Sequence, residues 1–83
     1  MTKQEILNNL TEIFQAIFRN PDVQATEDMV ADDVAEWDSV SHMSIIMEVE
    51  QMFNLRFDIG DIGRADKVSN LVEIIQAKGS LSE

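Results

Sequence analysis

The sequence WDSVSHMSIIMEVEQMF occupies residues 37–53 and decides the fold of the chain. At about 100° per residue, its apolar side chains cover most of a helix circumference and its polar side chains fall on one stripe. The polar stripe consists of Ser41, Ser44, Glu48 and Gln51. Asp38 or Ser39 can cap this helix, because either side chain accepts a hydrogen bond from a free backbone N–H group. The pattern predicts a helix from this cap to the end of the segment, with Met43 and Met47 partly exposed.

Two further segments carry helical patterns. Thr2 and Glu5 fit a capping box, and the helix that follows should stop at residues 20–21, Asn-Pro, because a residue before proline is disfavoured in the helical region. Near the other end, Ser69 is expected to cap a helix that stops at Gly79. The apolar residues at helical spacing are Ile6, Leu10, Ile13 and Ile17 in the first segment, and Leu71, Val72, Ile74 and Ile75 in the second.

The connections between these helices are long. Residues 20–38 show no lasting period and can contain one short helical turn. Four apolar side chains should anchor this acidic loop: Val23, Met29, Val30 and Val34. Gly60 and Gly63 limit the segment before the last helix to one or two turns. The sequence predicts an all-α bundle of three main helices plus one short helix, with a long acidic loop between helices one and two, as a single domain over residues 1–83.

Length and composition limit the classes of function. A chain of 83 residues can build one compact core and no deep cleft between domains. The net charge of −10 opposes binding to nucleic acid and to anionic membranes, since both attract Lys and Arg. No apolar run approaches the roughly 20 residues that span a bilayer, and the N-terminus is not of the secretory kind, so we expect a cytoplasmic protein. The absence of cysteine excludes disulfides and thiol chemistry from the chain itself.

The acidic residues are concentrated in the middle of the chain. Between Arg19 and Arg56 there is no Lys or Arg. This interval holds the acids Asp22, Glu27, Asp28, Asp32, Asp33, Glu36, Asp38, Glu48 and Glu50. Such a run can simply keep a small protein soluble. It can also attract a protein partner that presents a basic patch.

Ser39 is the candidate site for chemistry. Together with His42 and Asp38 it superficially resembles a hydrolytic triad, but a bundle of this size offers little room for a water-excluding pocket with oxyanion donors. We expect His42 to be a half-buried helix residue with a local hydrogen bond. An exposed Ser39 at a helix N-terminus suits a phosphate ester, because the helix dipole and free N–H groups favour negative charge there. No residue spacing indicates a metal site.

The segment from Asp38 to Phe53 resembles the modification segment of acyl carrier proteins. Asp38-Ser39-Val40 is similar to the Asp-Ser-Leu motif that opens helix two in that family, and Glu50 to Phe53 is similar to its Glu-x-x-Phe helix end. The resemblance implies that Ser39 carries 4′-phosphopantetheine, a covalent cofactor derived from coenzyme A. It further implies that acyl groups ride as thioesters on the thiol of this arm, and that the chain is a carrier on which other enzymes act rather than an enzyme.

The resemblance also implies partners and a binding region for the cargo. The expected partners are a phosphopantetheinyl transferase and the acyl-loading and acyl-transfer enzymes, which would dock basic patches on a monomeric carrier. The residues expected to meet them are Glu36, Asp38, Val40, Met43, Met47 and Glu48. A short acyl chain could shelter between helix two and the last two helices, lined by Ile46, Met47, Ile62, Leu71 and Ile75, although each of these can equally be a core residue.

Some positions depart from the carriers of fatty-acid synthesis. Ser41 and Ser44 stand where that type carries carboxylates, and residues 57–68 form a slightly longer segment. These departures favour a carrier of specialised biosynthesis, with a fatty, polyketide-like or related acyl cargo. Two alternatives stay open. One is a peptidyl or D-alanyl carrier with the same fold and cofactor, and the other is an unmodified acidic helical adaptor that binds a basic protein.

Overall fold

Four α-helices form the computed structural model, which describes residues 1–80. They are α1 (Lys3–Phe18), α2 (Ser39–Phe53), α3 (Ile59–Arg64) and α4 (Val68–Lys78). The loop between α1 and α2 contains one 3₁₀ turn, Ala31–Asp33. Over residues 1–80 the only β-type pairing is an isolated bridge between Val30 and Lys67. The predicted all-α bundle of three longer helices and one short helix is confirmed.

The N-termini of α1 and α2 lie where the sequence predicts them. Thr2 caps α1, because its Oγ1 accepts the Glu5 N–H at 3.1 Å while Glu5 Oε1 accepts the Thr2 N–H at 3.1 Å. Asp38 caps α2 in the same reciprocal way with Ser41. Each pair satisfies two N–H groups that the first helical turn would leave without a partner. None of the helices in residues 1–80 is both long and apolar enough to cross a membrane.

The core lies where α1, α2 and α4 meet. Its fully buried large side chains are Ile6, Leu10, Phe14, Ile45, Val49, Phe53, Val68, Leu71, Val72 and Ile75. Three of the four predicted loop anchors, Val23, Met29 and Val34, are partly buried against this core, whereas Val30 instead forms the bridge to Lys67. Two buried loop residues were not predicted from the sequence, Ala25 and Trp37. The acidic loop is therefore packed onto the bundle along much of its length.

The prediction that Ser69 caps the last helix is wrong. Lys67 occupies the N-cap position without a side-chain cap, and Ser69 lies in the first turn of α4. Val68 is fully buried and its N–H donates to the Met29 carbonyl at 3.0 Å, so packing and backbone pairing with the acidic loop fix this helix start. The predicted stop at Gly79 is confirmed.

The short helix α3 lies on the surface of the bundle. Its six residues agree with the prediction of one or two turns, and none of them is buried. Asp58 caps it by accepting the Asp61 N–H at 2.7 Å. Lys78 of α4 pairs with Asp58 at 3.7 Å and also with Asp61. These ion pairs hold α3 against α4.

Candidate functional site

Ser39 is the first residue of α2, and its side chain is exposed. The residue before it, Asp38, has extended backbone angles (φ −106°, ψ −172°), so the chain changes direction there from loop to helix. The 15-residue length of α2 gives its N-terminus a full helix dipole behind the serine. The sequence prediction of an exposed hydroxyl at a helix N-terminus is confirmed.

Trp37 fixes the chain just before this serine. Its side chain is 6% exposed. Its ring packs against Phe14 and Phe18 of α1, with ring centroids 5.2 and 5.9 Å away. Because a large aromatic side chain in the core resists displacement, the position of Ser39 is tied to the packing between the loop and α1.

Ser41 completes the attachment of the loop to the first turn of α2. Its hydroxyl accepts the Asp38 N–H at 2.8 Å and donates to the Glu36 carbonyl at 2.8 Å, while its own N–H donates to Asp38 Oδ1 at 2.9 Å. The hydrogen bond from the Ser41 N–H lowers the pKa of the Asp38 carboxyl. A negative charge is therefore maintained next to Ser39. The polar stripe to which the sequence assigns Ser41 does not predict this role.

His42 has both ring nitrogens engaged. Nδ1 lies 3.0 Å from the Nε1–H of Trp37, and Nε2 lies 2.9 Å from the Ile62 carbonyl oxygen of α3. An indole N–H only donates and a carbonyl only accepts, so the proton is on Nε2 and the lone pair of Nδ1 faces Trp37. Neither nitrogen is left to take a proton from Ser39, and these side chains do not form a hydrolytic triad. The expected local hydrogen bond is the one to Trp37; the bond to Ile62 was not expected.

An apolar stripe on α2 begins directly after the serine. Val40, Met43 and Met47 are 76%, 46% and 57% exposed, and their spacing of three and four residues puts them on one face of the helix. Glu36 before the helix and Glu48 on it are also exposed. The predicted partner-binding residues are thus exposed, from the residues just before Ser39 to the middle of α2.

A cleft of about 450 Å³ opens beside Ser39. Its walls belong to the acidic loop, the first turns of α2, α3 and the connection from α3 to α4. They consist of Ala31, Trp37, Asp38, Ser39, His42, Met43, Ile62, Gly63 and Asp66. Trp37 and His42 flank the serine motif in the sequence, but the helical pattern alone does not predict that they line a cleft.

The five predicted acyl-binding residues occupy three different environments. Ile62 lines the cleft beside Ser39. Met47 lines a separate surface cleft of about 540 Å³ towards the C-terminus of α2. Ile46, Leu71 and Ile75 are buried in the core. Only Ile62 of this set therefore lies next to the candidate attachment site.

Comparison with known proteins reveals a similarity in both sequence and fold. No protein-family model matches the sequence, and the search of curated proteins also gives no match. Among solved structures, the chain is similar to the solution NMR structure of a holo acyl carrier protein from Geobacter metallireducens. The two are 30% identical, the alignment covers 87% of this chain and 83% of that one, and the TM-score is 0.79. The similarity therefore extends over most of both chains, in sequence and in fold.

Proposed function

Because the chain belongs to the acyl carrier protein family, we propose that Ser39 is the attachment site of 4′-phosphopantetheine and that the protein carries acyl groups as thioesters. The observation that carries the proposal is the exposed Ser39 hydroxyl at the first residue of α2, immediately after the Asp38 cap. The solved relative is described as a holo protein, which supports a prosthetic group in this fold.

The surroundings of Ser39 fit a phosphodiester-linked arm. A phosphate on the Ser39 hydroxyl would lie at the N-terminus of α2, where the dipole and free N–H groups favour negative charge, although the Asp38 carboxylate partly opposes it. The adjacent cleft is open to the same hydroxyl. When bound, the group would supply the reactive thiol that a cysteine-free chain lacks. The chain's own residues position and present it.

The proposed partners are a phosphopantetheinyl transferase and the enzymes that load and remove the acyl group. The exposed apolar row of Val40, Met43 and Met47 offers them a contact surface. The carboxylates of Glu36, Asp38 and Glu48 would attract basic patches and speed the encounter. We expect a monomer that meets each partner through a modest area, because a carrier must also dissociate.

For the cargo, we propose that the first contacts are made in the cleft, at Met43 and Ile62. The buried candidates Ile46, Leu71 and Ile75 would meet an acyl chain only if the core opened behind this cleft. For the pathway, we propose dedicated enzymes of specialised biosynthesis rather than of housekeeping fatty-acid synthesis. Support comes from the polar stripe of α2, where Ser41 and Ser44 stand in place of carboxylates.

Intact-mass measurement tests the attachment directly. The unmodified protein is incubated with coenzyme A and a broad-specificity phosphopantetheinyl transferase, and one added phosphopantetheine per chain is expected. Ser39→Ala should abolish the addition. Ser44→Ala is the matched control, because Ser44 is a half-buried serine of the same helix whose hydroxyl bonds to the Val40 carbonyl at 3.3 Å. It should be modified like the wild type.

Two outcomes would contradict the proposal. Addition of the group to Ser39→Ala would move the attachment site elsewhere in the chain. No addition, under conditions that modify a control carrier, would favour the unmodified acidic adaptor, which could still use the exposed stripe and the carboxylates of α2. Loading with aminoacyl substrates rather than acyl substrates would identify a peptidyl or D-alanyl carrier.

A further inference from the structure

The helix α3 is held to the bundle from two sides. On one side, Lys78 of α4 pairs with Asp58 and Asp61. On the other, the imidazole of His42 in α2 donates from Nε2 to the Ile62 carbonyl at 2.9 Å. Ile62 is the one apolar side chain of α3 that packs against the core, none of the six residues is fully buried, and two of them are glycine, so packing and helix propensity hold α3 only weakly. The position of α3 therefore depends strongly on these polar contacts.

The buried Trp37 determines which nitrogen of His42 donates to α3. Trp37 is nearly buried and its Nε1–H points at His42 Nδ1 at 3.0 Å, so that nitrogen must accept and the other must carry the proton. The two rings also lie nearly parallel, 26° apart with centroids at 6.1 Å. A continuous chain of hydrogen bonds thus runs from the packed loop through α2 to α3.

This chain of bonds lies at the cleft beside Ser39. Trp37, His42 and Ile62 all line that cleft, and the bond between His42 and Ile62 joins the wall formed by α2 to the wall formed by α3. The separation of these two walls sets the width of the cleft. A group that fixes the separation controls what can enter next to Ser39.

We propose that His42 is a positioning residue that latches α3 to α2 and so sets the opening of the cleft beside Ser39. With the bond formed, α3 stays close to α2. With the bond broken, α3 keeps its ion pairs to α4, the hydrogen bond from Asn70 to the Arg64 carbonyl and the half-buried Ile62 side chain, but loses its bond to α2, and the cleft widens. The use of this cleft by a group carried on Ser39 rests on the proposed function, whereas the latch itself does not.

Two variants separate the hydrogen bond from the bulk of the ring. His42→Phe keeps a planar ring but can neither accept from Trp37 nor donate to Ile62. His42→Gln also lacks the acceptor at the Nδ1 position, but its amide nitrogen can replace Nε2 as the donor to the Ile62 carbonyl. Lys78→Met is the matched control, because it removes the two Lys78 ion pairs between α3 and α4 and leaves the bond to α2 in place.

Amide hydrogen exchange of the unmodified chain gives the first readout. The Ile62 and Ala65 amides are bonded within α3, to the carbonyls of Asp58 and Ile62. Relative to the amides of α1, their exchange should be about 5- to 10-fold faster in His42→Phe and close to wild type in His42→Gln, since one hydrogen bond is at stake. Any of three results would contradict the proposed role of His42: unchanged exchange in His42→Phe, equal acceleration in both variants, or the same acceleration in α1.

Fluorescence quenching gives a second readout at the cleft itself. Trp37 is the only tryptophan of the chain and lines the cleft, so acrylamide reaches it more easily when α3 moves away. We expect a quenching constant about twofold higher in His42→Phe than in His42→Gln, with Lys78→Met like the wild type. Equal quenching in the two His42 variants would overturn the proposal that the latch sets the cleft.

The tautomer of His42 can be tested without any substitution. In the ¹⁵N spectrum of the wild-type imidazole, the latch requires a protonated Nε2 and an unprotonated Nδ1. The opposite tautomer would overturn it even if a variant failed to fold. Because all three measurements use the unmodified chain, a failure of the latch and a failure of Ser39 modification are seen in different experiments.

Discussion

The helices α1 and α2 are built alike but use their apolar residues differently. They have 16 and 15 residues, each begins at a complete capping box, and each ends at a residue in the left-handed region. α1 buries Ile6, Leu10, Ile13, Phe14 and Phe18, and its other large apolar residues, Leu7 and Ile17, also pack against the core. α2 buries four residues but leaves Val40, Met43 and Met47 in solvent. The apolar residues of α1 therefore serve stability, whereas α2 has one buried apolar face that serves stability and one exposed apolar face, which we propose as a contact surface for partners.

Truncation of a side chain on the buried face of α2 and of one on its exposed face should give the largest difference in the free energy of unfolding. Phe53→Ala removes a fully buried ring and should lower the free energy of unfolding by about 3–5 kcal/mol. Met47→Ala removes an exposed side chain and should change it by less than about 0.5 kcal/mol. Urea denaturation followed by circular dichroism measures both.

A second core variant keeps this comparison measurable. If Phe53→Ala is already unfolded without urea, Ile45→Val on the same buried face should cost about 0.5–1.5 kcal/mol. A cost above about 2 kcal/mol for Met47→Ala would mean that the exposed face also holds the fold together.

Removal of either N-cap should lower the stability of the protein by a similar amount, but only removal of the α2 cap should affect the modification of Ser39. Thr2→Ala and Asp38→Ala each remove a capping side chain and should cost about 0.5–2 kcal/mol in denaturant titrations. Only Asp38→Ala should also slow phosphopantetheine transfer to Ser39, because it loosens the turn that presents the hydroxyl. Equal slowing by Thr2→Ala would indicate a general effect of lower stability.

Charge reversal on α1 and on α2 should distinguish electrostatic attraction of the transferase by particular acids from an effect of the net charge of the chain. Glu48→Lys on α2 and Glu12→Lys on α1 change the net charge identically, and both positions are exposed. The rate constant for transferase modification should fall several-fold for Glu48→Lys, and also for Glu36→Lys, with the gap closing as salt rises. Glu12→Lys should stay close to wild type. Equal rates for Glu48→Lys and Glu12→Lys at low salt would contradict steering by the acids around Ser39.

The pH dependence of stability should show the smallest effect. Hydrogen bonds from Ser41 lower the pKa of Asp38 in the folded chain, so the unfolded chain binds more protons. The contribution of this carboxylate is complete above its unfolded pKa of about 4 and is lost as pH falls through the lower folded value. The contribution of Glu5, the N3 residue of α1, should likewise be lost on acidification, because hydrogen bonds from Thr2 lower the pKa of its carboxyl.

Asp38→Asn isolates this contribution, since asparagine caps a helix about as well as aspartate. The wild type should be more stable than Asp38→Asn at pH 7, and the difference should shrink towards pH 3. Chemical denaturation at the two pH values measures the difference. A gap that widens on acidification would contradict the lowered pKa of Asp38.

Local residue chemistry determined much of the architecture from the sequence alone. Three features depend only on neighbours within a few residues, so the amino-acid sequence specifies them: the capping box at Thr2, the break at Asn20-Pro21 and the start of a helix after Asp38. The exposed position of Ser39 follows for the same reason. The apolar period of α1 and α4 likewise identified their buried faces.

Only the tertiary structure decided the features that join distant segments. The start of α4 depends on a backbone bond from Val68 to Met29, which overrides the capping tendency of Ser69. The cleft beside Ser39 depends on Trp37, His42 and Ile62, and the last of these lies 20 residues beyond the histidine it bonds. No helical period or short motif encodes such a contact, because it exists only after α3 has packed next to α2.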